Sequence, residues 1–477
     1  SGNRQVWYDD STSLAVKYDY AVGQDLLGVG IWALGYDGGR QEIWGALSDI
    51  FGATAPPLAP QWFSLSNLGG GHVAVNSAQV AFAEEYELLA GTDPDNLESW
   101  SIAATPVFTA TGFQSDAIYY CRLRVGNTHG WSAPGEMLAV SITDAGNPVL
   151  VVQGFERISG TNNTFDYIRR HAPHIRNAGL GFDAAGNDAI IQGAVSLEDY
   201  AMVDWISGEE ATATVAFDAN EQAAISAYLE SGGRLLVSGS EIGWDLSANG
   251  TPADIAFYQD YLKAEYIADD AGSYSTYGTA GGVFSGLSGM AFDDGNHGSY
   301  DVDYPDGIHP HGGSASNLRY TDVDYEIQGG AGVQYFGPFG SSTQFGALVH
   351  LGVGFEAFYP ASLRDAMMER IIDYLDPQVA IDPPAQAPRH FTVGTAFPNP
   401  FNGSLTVPLE IAQSGRLKLQ VFDLQGRQLH TELLNLQPGE YHWQWSKPDL
   451  GSVASGMLLV RVDDGRLSHT QKVTYLK

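Results

Sequence analysis

Cysteine is nearly absent from this 477-residue sequence: Cys121 is the single one. That excludes an internal disulfide framework and a zinc site built on paired cysteines. Positive charge is also scarce, with 23 lysines and arginines against 56 acidic residues and a formal net charge of −33. A surface of that sign repels nucleic acid and anionic lipid headgroups. It suits an extracellular protein with a solvated acidic coat, and it could attract divalent cations. No apolar run reaches roughly 18 residues, so no membrane-spanning helix is expected. A leader of the usual kind is missing too. Ser1-Gly2-Asn3-Arg4 runs straight into strand-like Val6-Trp7-Tyr8, so the natural start is expected upstream if the protein is exported.

What is present is ample apolar and turn-forming material. Hydrophobic residues make up 44%, aromatics 12%, and there are 57 glycines. The length predicts several domains rather than one. Three stretches read as linkers, because proline removes a backbone donor and resists helix and sheet. They are Ala55-Pro56-Pro57-Leu58-Ala59-Pro60, Ala145-Gly146-Asn147-Pro148 and Asp382-Pro383-Pro384-Ala385-Gln386-Ala387-Pro388. The expected segments are 1–54, 55–146, 147–380 and 381–477.

Segment 1–54 reads in β-α-β-α order. Ser11–Gln24 and Gln41–Phe51 have helical spacing. Gly28-Val29-Gly30-Ile31-Trp32-Ala33-Leu34 is apolar on both faces, as a buried parallel strand requires. With Trp7-Tyr8-Asp9-Asp10 before it and Gly35-Tyr36-Asp37 after it, this stretch resembles the last two β/α units of a glycoside hydrolase family 18 barrel, the chitinase-like family. The resemblance implies a partial TIM barrel, a polysaccharide partner (a chitin-like or peptidoglycan glycan), and an upstream barrel fragment of the same protein. It places Trp32 beneath the sugar, with Tyr8 and Tyr36 as further contacts. An aromatic ring suits a pyranose face; the plainer alternative for Trp32 is a core aromatic. The family's catalytic DxxDxDxE signature is absent, so no glycoside hydrolysis is expected of this chain alone.

Segment 55–146 reads as short strands at Val73–Val75, Val80–Phe82 and Tyr86–Gly91. The run Ala117-Ile118-Tyr119-Tyr120-Cys121-Arg122-Leu123-Arg124-Val125-Gly126-Asn127, followed by Gly130-Trp131-Ser132-Ala133-Pro134, resembles the end of a fibronectin type III β-sandwich. The resemblance makes Tyr119 a tyrosine-corner residue and Cys121 a small core residue.

Segment 147–380 alternates strands (Val149–Gly154, Ala201–Ile206, Arg234–Glu241, Phe345–Gly352) with helices (Phe165–His171, Ala219–Ser231, Ser362–Leu375). That order implies an open, largely parallel sheet. Its helix-Gly232-Gly233-strand-Ser238-Gly239-Ser240 piece resembles a flavodoxin-like fold of the class I glutamine amidotransferase type. Where that family places a cysteine nucleophile, this chain has Ser240-Glu241. Ser240, Glu241 and His350, with Glu356, are weak catalytic candidates, since the stretch lacks a Gly-x-Ser-x-Gly elbow. The acidic stretch Phe292–Asp306 offers Asp293, Asp294, Asp301, Asp303 and Asp306 as hard oxygen ligands. Three readings stay open for it: calcium, a carbohydrate-contact loop, or a plain polar loop.

Segment 381–477 opens on Pro398-Asn399-Pro400-Phe401-Asn402-Gly403 and continues as alternating strands. It resembles the C-terminal sorting domain of type IX secretion substrates, an immunoglobulin-like β-sandwich. That implies export across the outer membrane, a secreted or cell-surface location, and the type IX machinery as partner. The chain is expected to be the noncatalytic C-terminal region of a secreted chitinase-like hydrolase, or else a surface binding protein with an inert barrel remnant.

Overall fold

The structure, a computed structural model, describes residues 10–24, 26, 29–30, 41–51, 55–144, 146–155, 163–210, 215–375, 391–394, 396–411, 415–423, 427–446, 455–463 and 468–477. The chain divides into two compact units, Ser1–Ile381 and Asp382–Lys477.

Near the start lie helices α1 (Ser11–Gly23) and α2 (Gln41–Phe51). Asp10 caps α1 by accepting from the Ser13 N–H at 2.8 Å, and Ser13 Oγ accepts from the Asp10 N–H at 2.9 Å. Tyr18 meets Phe51 edge-on at 5.7 Å. Ile31–Leu34 of the expected barrel strand lies outside the described residues, as do Tyr8, Trp32 and Tyr36.

Eight strands follow: β1 (Phe63–Gly69), β2 (His72–Ser77), β3 (Glu85–Gly91), β4 (Glu98–Ala103), β5 (Val107–Thr111), β6 (Ile118–Asn127), β7 (Gly130–Trp131) and β8 (Met137–Ser141). They form the order β1-β2-β5 in one layer and β4-β3-β6-β7 in the other, with β8 also on β6. This is a fibronectin type III-like sandwich. Tyr119 Oη accepts from the Gln114 N–H at 3.2 Å, the corner bond expected of it. Cys121 is fully buried, and burial pushes its thiol well above its ordinary pKa. The strand expected at Val80–Phe82 is instead a turn: Phe82 has φ 61°, which no strand accommodates.

Next come β9 (Val149–Gln153), α3 (Ala172–Asn177), β10 (Phe182–Gly186), α4 (Asn187–Ile191), β11 (Met202–Gly208), α5 (Ala219–Glu230), β12 (Arg234–Gly239) and α6 (Pro252–Asp260). After these lie β13 (Ala264–Ala268), β14 (Ser275–Gly278), β15 (Met290–Phe292), β16 (Gly307–Pro310), β17 (Ala315–Tyr320), α7 (Tyr325–Gln328), β18 (Gly332–Pro338), β19 (Phe345–Leu351), β20 (Phe358–Tyr359) and α8 (Ala361–Leu375). The helix expected over Phe165–His171 is a single 3-10 turn, Tyr167–Arg170, leading into α3.

Five strands are parallel, in the order β10-β9-β11-β12-β19. In chain order that is 2-1-3-4-5. Alternation along β9 sends Val149 and Val151 to one core, with Ile175 of α3 and Met367 and Ile371 of α8. Leu150 and Val152 go to the other, with Ile190 of α4, Ile225 and Leu229 of α5, and Phe257 of α6. Both faces are thus covered, which explains why these strands read as continuous apolar runs. The expectation of a largely parallel sheet needs correction beyond these five: β18, β17, β14, β15 and β20 extend one side antiparallel.

The other side continues into the sandwich. Strand β1 pairs antiparallel with β10 through Ser64↔Ala185 and Leu65↔Ala184. Asp183 reinforces the join, accepting from the Asn67 N–H (2.9 Å), Asn147 Nδ2 (2.6 Å) and Tyr200 Oη (3.1 Å). The expected linker at Ala145–Pro148 therefore falls between β8, of the five-stranded layer, and β9, inside a region joined by one 13-stranded sheet. One core cluster runs from Leu65, Leu88 and Cys121 into Val151 and Met367.

The second unit contains β21 (Phe391–Val393), β22 (Ser404–Ile411), β23 (Gly415–Asp423), β24 (Gln428–Leu436), β25 (Gly439–Ser446), β26 (Gly456–Asp463) and β27 (Ser468–Tyr475). Two antiparallel sheets, β21-β22-β25 and β24-β23-β26-β27, enclose Leu405, Val407, Leu419, Val421, Trp445 and Val460. The opening motif is bound to the last strand. Phe401 is buried 5.2 Å from Tyr475 and 6.2 Å from Trp445. Its N–H donates to Thr474 O at 2.9 Å, and Asn399 Oδ1 accepts from the Thr474 N–H at 2.8 Å.

Candidate functional site

In doubly wound sheets, ligands sit outside the carboxyl ends of the parallel strands. Here that crest holds the segment after β12, where Ser240 and Glu241 lie. Glu241 has φ 67°, a left-handed conformation that costs a non-glycine residue about 1–2 kcal/mol. The turn thus has the sharpness of a nucleophile elbow. The N–H groups just beyond it are already taken. Gly243 N and Trp244 N donate to Asp306 Oδ2 (2.6 Å) and Oδ1 (3.2 Å). Asp306 is fully buried, and burial outweighs these two bonds and holds its carboxyl well above the usual carboxylate range. A side chain of this chain therefore takes the two N–H groups that follow the Ser240-Glu241-Ile242 turn.

The suggested triad does not assemble. Register pairs His350 with Val237, two residues before the end of β12, and alternation along β19 turns it to the opposite face from Leu351. There it packs edge-on against Tyr258 at 5.7 Å. His350 Nδ1 lies 3.2 Å from Leu262 O. A carbonyl only accepts, so Nδ1 carries the proton. Burial lowers the pKa to about 4. No hydrogen bond joins His350 to Ser240 among the described residues. Glu356, on the crest after β19, serves a different histidine.

The acidic loop is occupied internally. Asp293 accepts from the His297 N–H (2.8 Å) and the Ser299 N–H (2.6 Å). Asp294 and Asp301 face each other across a β-bridge, and Asp301 accepts from Tyr274 Oη at 2.7 Å. Asp303 is raised by desolvation and by its neighbour Asp301. Among the described residues, no group of three or more His, Cys, Asp or Glu side chains is arranged to hold a metal. Asp293 binds within the loop, while Asp306 reaches out of it to Gly243 and Trp244.

The sequence reasoning missed the most strongly coupled group. His171, at the start of α3, lies with Nδ1 2.8 Å from Asp204 Oδ2 and Nε2 3.3 Å from Glu356 Oε2. Tyr300 Oη donates to Glu356 Oε1 at 2.8 Å. His171, Asp204 and Glu356 are all fully buried. Both imidazole nitrogens face carboxylates, so both donate and the ring is an imidazolium. Burial opposes that charge, but the two carboxylates prevail and push the pKa up to about 9. A second histidine beside it behaves oppositely. Arg364 Nε donates to His174 Nε2 at 3.0 Å, so His174 is protonated on Nδ1, which donates to Asp365 Oδ1 at 2.6 Å. It is neutral, and burial lowers its pKa. The one available signal is titratable residues at positions that should be apolar: Asp204 inside Met202–Gly208, His171 at the N-cap of α3 and His174 within it.

Beside this network opens a cleft of about 360 Å³, lined by Thr164, Asp166, Tyr167, Arg169, Arg170, Gly298 and Ser299. Arg169 pairs with Asp95 (2.9 Å) and Asp166 (3.3 Å). The Arg170 guanidinium is held by backbone carbonyls, Gly298 O and Glu356 O.

Residues 395–475 match the family model described as "Secretion system C-terminal sorting domain". The chain carries a type IX secretion sorting domain. It is an exported protein, secreted or held at the cell surface. No helix among the described residues is long and apolar enough to cross a membrane. No curated protein matches the sequence. Similar solved structures include the fibronectin type III domain of human contactin 1, with 17% identity over 20% of this chain and 84% of that one, TM-score 0.18. Another is a fibronectin type III-like protein from Clostridium thermocellum, with 14% identity over 18% of this chain and 91% of that one, TM-score 0.16. A third, "FN3tt", has 15% identity over 19% of this chain and 98% of that one, TM-score 0.18.

Proposed function

We propose that this chain is the noncatalytic C-terminal region of an exported surface protein, in which a flavodoxin-like domain of amidotransferase ancestry has lost its chemistry and serves binding and spacing. The observation that carries the reading is Asp306 seated on Gly243 N and Trp244 N. Those two donors are taken, and His350, on the other face of the sheet, makes no hydrogen bond to Ser240 among the described residues. The 2-1-3-4-5 parallel order supports the flavodoxin-like reading. The sandwich, sharing a sheet with that domain, holds it at a set orientation. A glycan partner contacted by Trp32, Tyr8 and Tyr36 rests on the sequence resemblance to family 18 barrels alone.

The test is an activity panel of amide, ester and chitin or peptidoglycan substrates on the full chain, run beside glycan-array binding. The expected result is no turnover. Turnover that disappears in Ser240→Ala or Glu241→Gln would overturn the reading. Array binding lost in Trp32→Ala would support the glycan contact.

A further inference from the structure

We infer that the cleft beside the His171 network binds a small, singly charged hydroxy-carboxylate, read by Arg170. Two neighbouring arginines on one 3-10 turn differ in what holds them. Arg169, on the same 3-10 turn, is held by Asp95 and Asp166. The two contacts of Arg170 are different in kind. Its Nη1 and Nη2 each reach a backbone carbonyl, Glu356 O and Gly298 O, and neither contact neutralises the cation. A guanidinium has five N–H donors. These two bonds fix its plane and leave donors for a ligand, so little ordering remains to be done on binding.

The rest of the cleft agrees. Ser299 lines the cleft, and its Oγ is buried without a hydrogen-bond partner among the described residues. The Ser299 backbone N–H is bound by Asp293, which fixes the loop from beneath. Gly298, at φ 88°, has no Cβ where one would stand 3.1 Å from Arg170 Nη2, so the arginine can approach the loop closely. The wall is polar, with Thr164, Asp166 and Ser299 alongside Tyr167. That favours a ligand body bearing hydroxyls over an alkyl one. Asp166 lines the same cleft and Glu356 lies behind Arg170. Their charges disfavour a dianion, which separates a carboxylate from a phosphate. The cleft lies where the segment after β9 meets the loop between β15 and β16.

The experiment is isothermal calorimetry with a parallel melting curve on the full chain. Sodium gluconate is titrated against sodium chloride at matched ionic strength, with glucose, acetate and inorganic phosphate as companions. Gluconate is expected to bind in the millimolar range, acetate more weakly, and glucose not detectably. Arg170→Gln should weaken gluconate about tenfold or more, the loss of one charge-assisted contact. Arg370→Gln, on the outer face of α8, should leave it unchanged. Because Arg170→Gln also removes the clamp on Gly298, Ser299→Ala provides a second test, expected to weaken binding without lowering the melting temperature. Glucose binding as tightly as gluconate would overturn the proposal, as would phosphate binding tighter than gluconate. Native gluconate affinity in either Arg170→Gln or Ser299→Ala would do the same.

Discussion

His171 shows how a single buried side chain sets a pH limit. Its folded pKa, about 9, lies above the ordinary histidine value near 6.5. A group raised on folding contributes its full stabilisation below the unfolded value and loses it as pH rises through the folded one. The first unit should therefore lose stability between about pH 6.5 and 9. Removing the cation is more severe, because it leaves Asp204 and Glu356 buried and unpaired. His171→Ala should cost about 3–5 kcal/mol in denaturant unfolding at pH 7, and the alkaline slope should vanish. An unchanged slope in that variant would assign the titration to another group. Asp306 differs in kind: Asp306→Ala strands two N–H donors and should cost about 1–3 kcal/mol, measured the same way, without conferring activity.

Among the elements, the strand ends carry the consequences. The motif Pro398–Asn402 is far from β27 in sequence yet hydrogen-bonded to it, with Phe401 filling the end of the sandwich between Trp445 and Tyr475. Phe401→Ala should cost about 3–5 kcal/mol of second-unit stability, read by thermal unfolding of the full chain. In the first unit, the β1–β10 pairing is only two residue pairs long and leans on Asp183. Burial raises the Asp183 pKa to about 6, against the bonds from Asn67, Asn147 and Tyr200. Asp183→Ala leaves the Asn67 N–H without its acceptor, while Asn147 keeps Ser141 O and Phe182 O, and should cost about 1–3 kcal/mol. Protease nicking near Gly146, measured as a rate, should rise in that variant.

For the molecule as a whole, one continuous sheet joins the sandwich to the α/β part, while the division falls at Ile381 and Asp382. Calorimetry should show the sandwich and the α/β part melting together, with the second unit as a separate transition. A distinct transition for 55–146 would mean that the shared sheet does not couple them. Deleting 395–475 removes the sorting domain, and the truncated protein should stay within the cell envelope, scored by fractionation.

Residue order alone determined the local matters. The apolar runs Val149–Val152 and Leu235–Val237 announce strands buried on both faces, because only such strands tolerate no polar alternation. Tyr119 and the Pro398–Asn402 motif announce their modules, because each makes bonds to chain a fixed distance away. Proline-rich composition was a weaker guide. It marks Ala145–Pro148 and Asp382–Pro388 alike, though the first is tied down by Asn147 and Asp183. Only the tertiary structure decided which charges meet. His171, Asp204, Tyr300 and Glu356 come from four distant stretches, and nothing in their spacing relates them. Conversely, Ser240, His350 and Glu356 look like partners along the chain until the two-residue period of β19 turns His350 to the wrong face. Burial and alternation act through the assembled sheet, so which of these side chains meet is decided only by the fold.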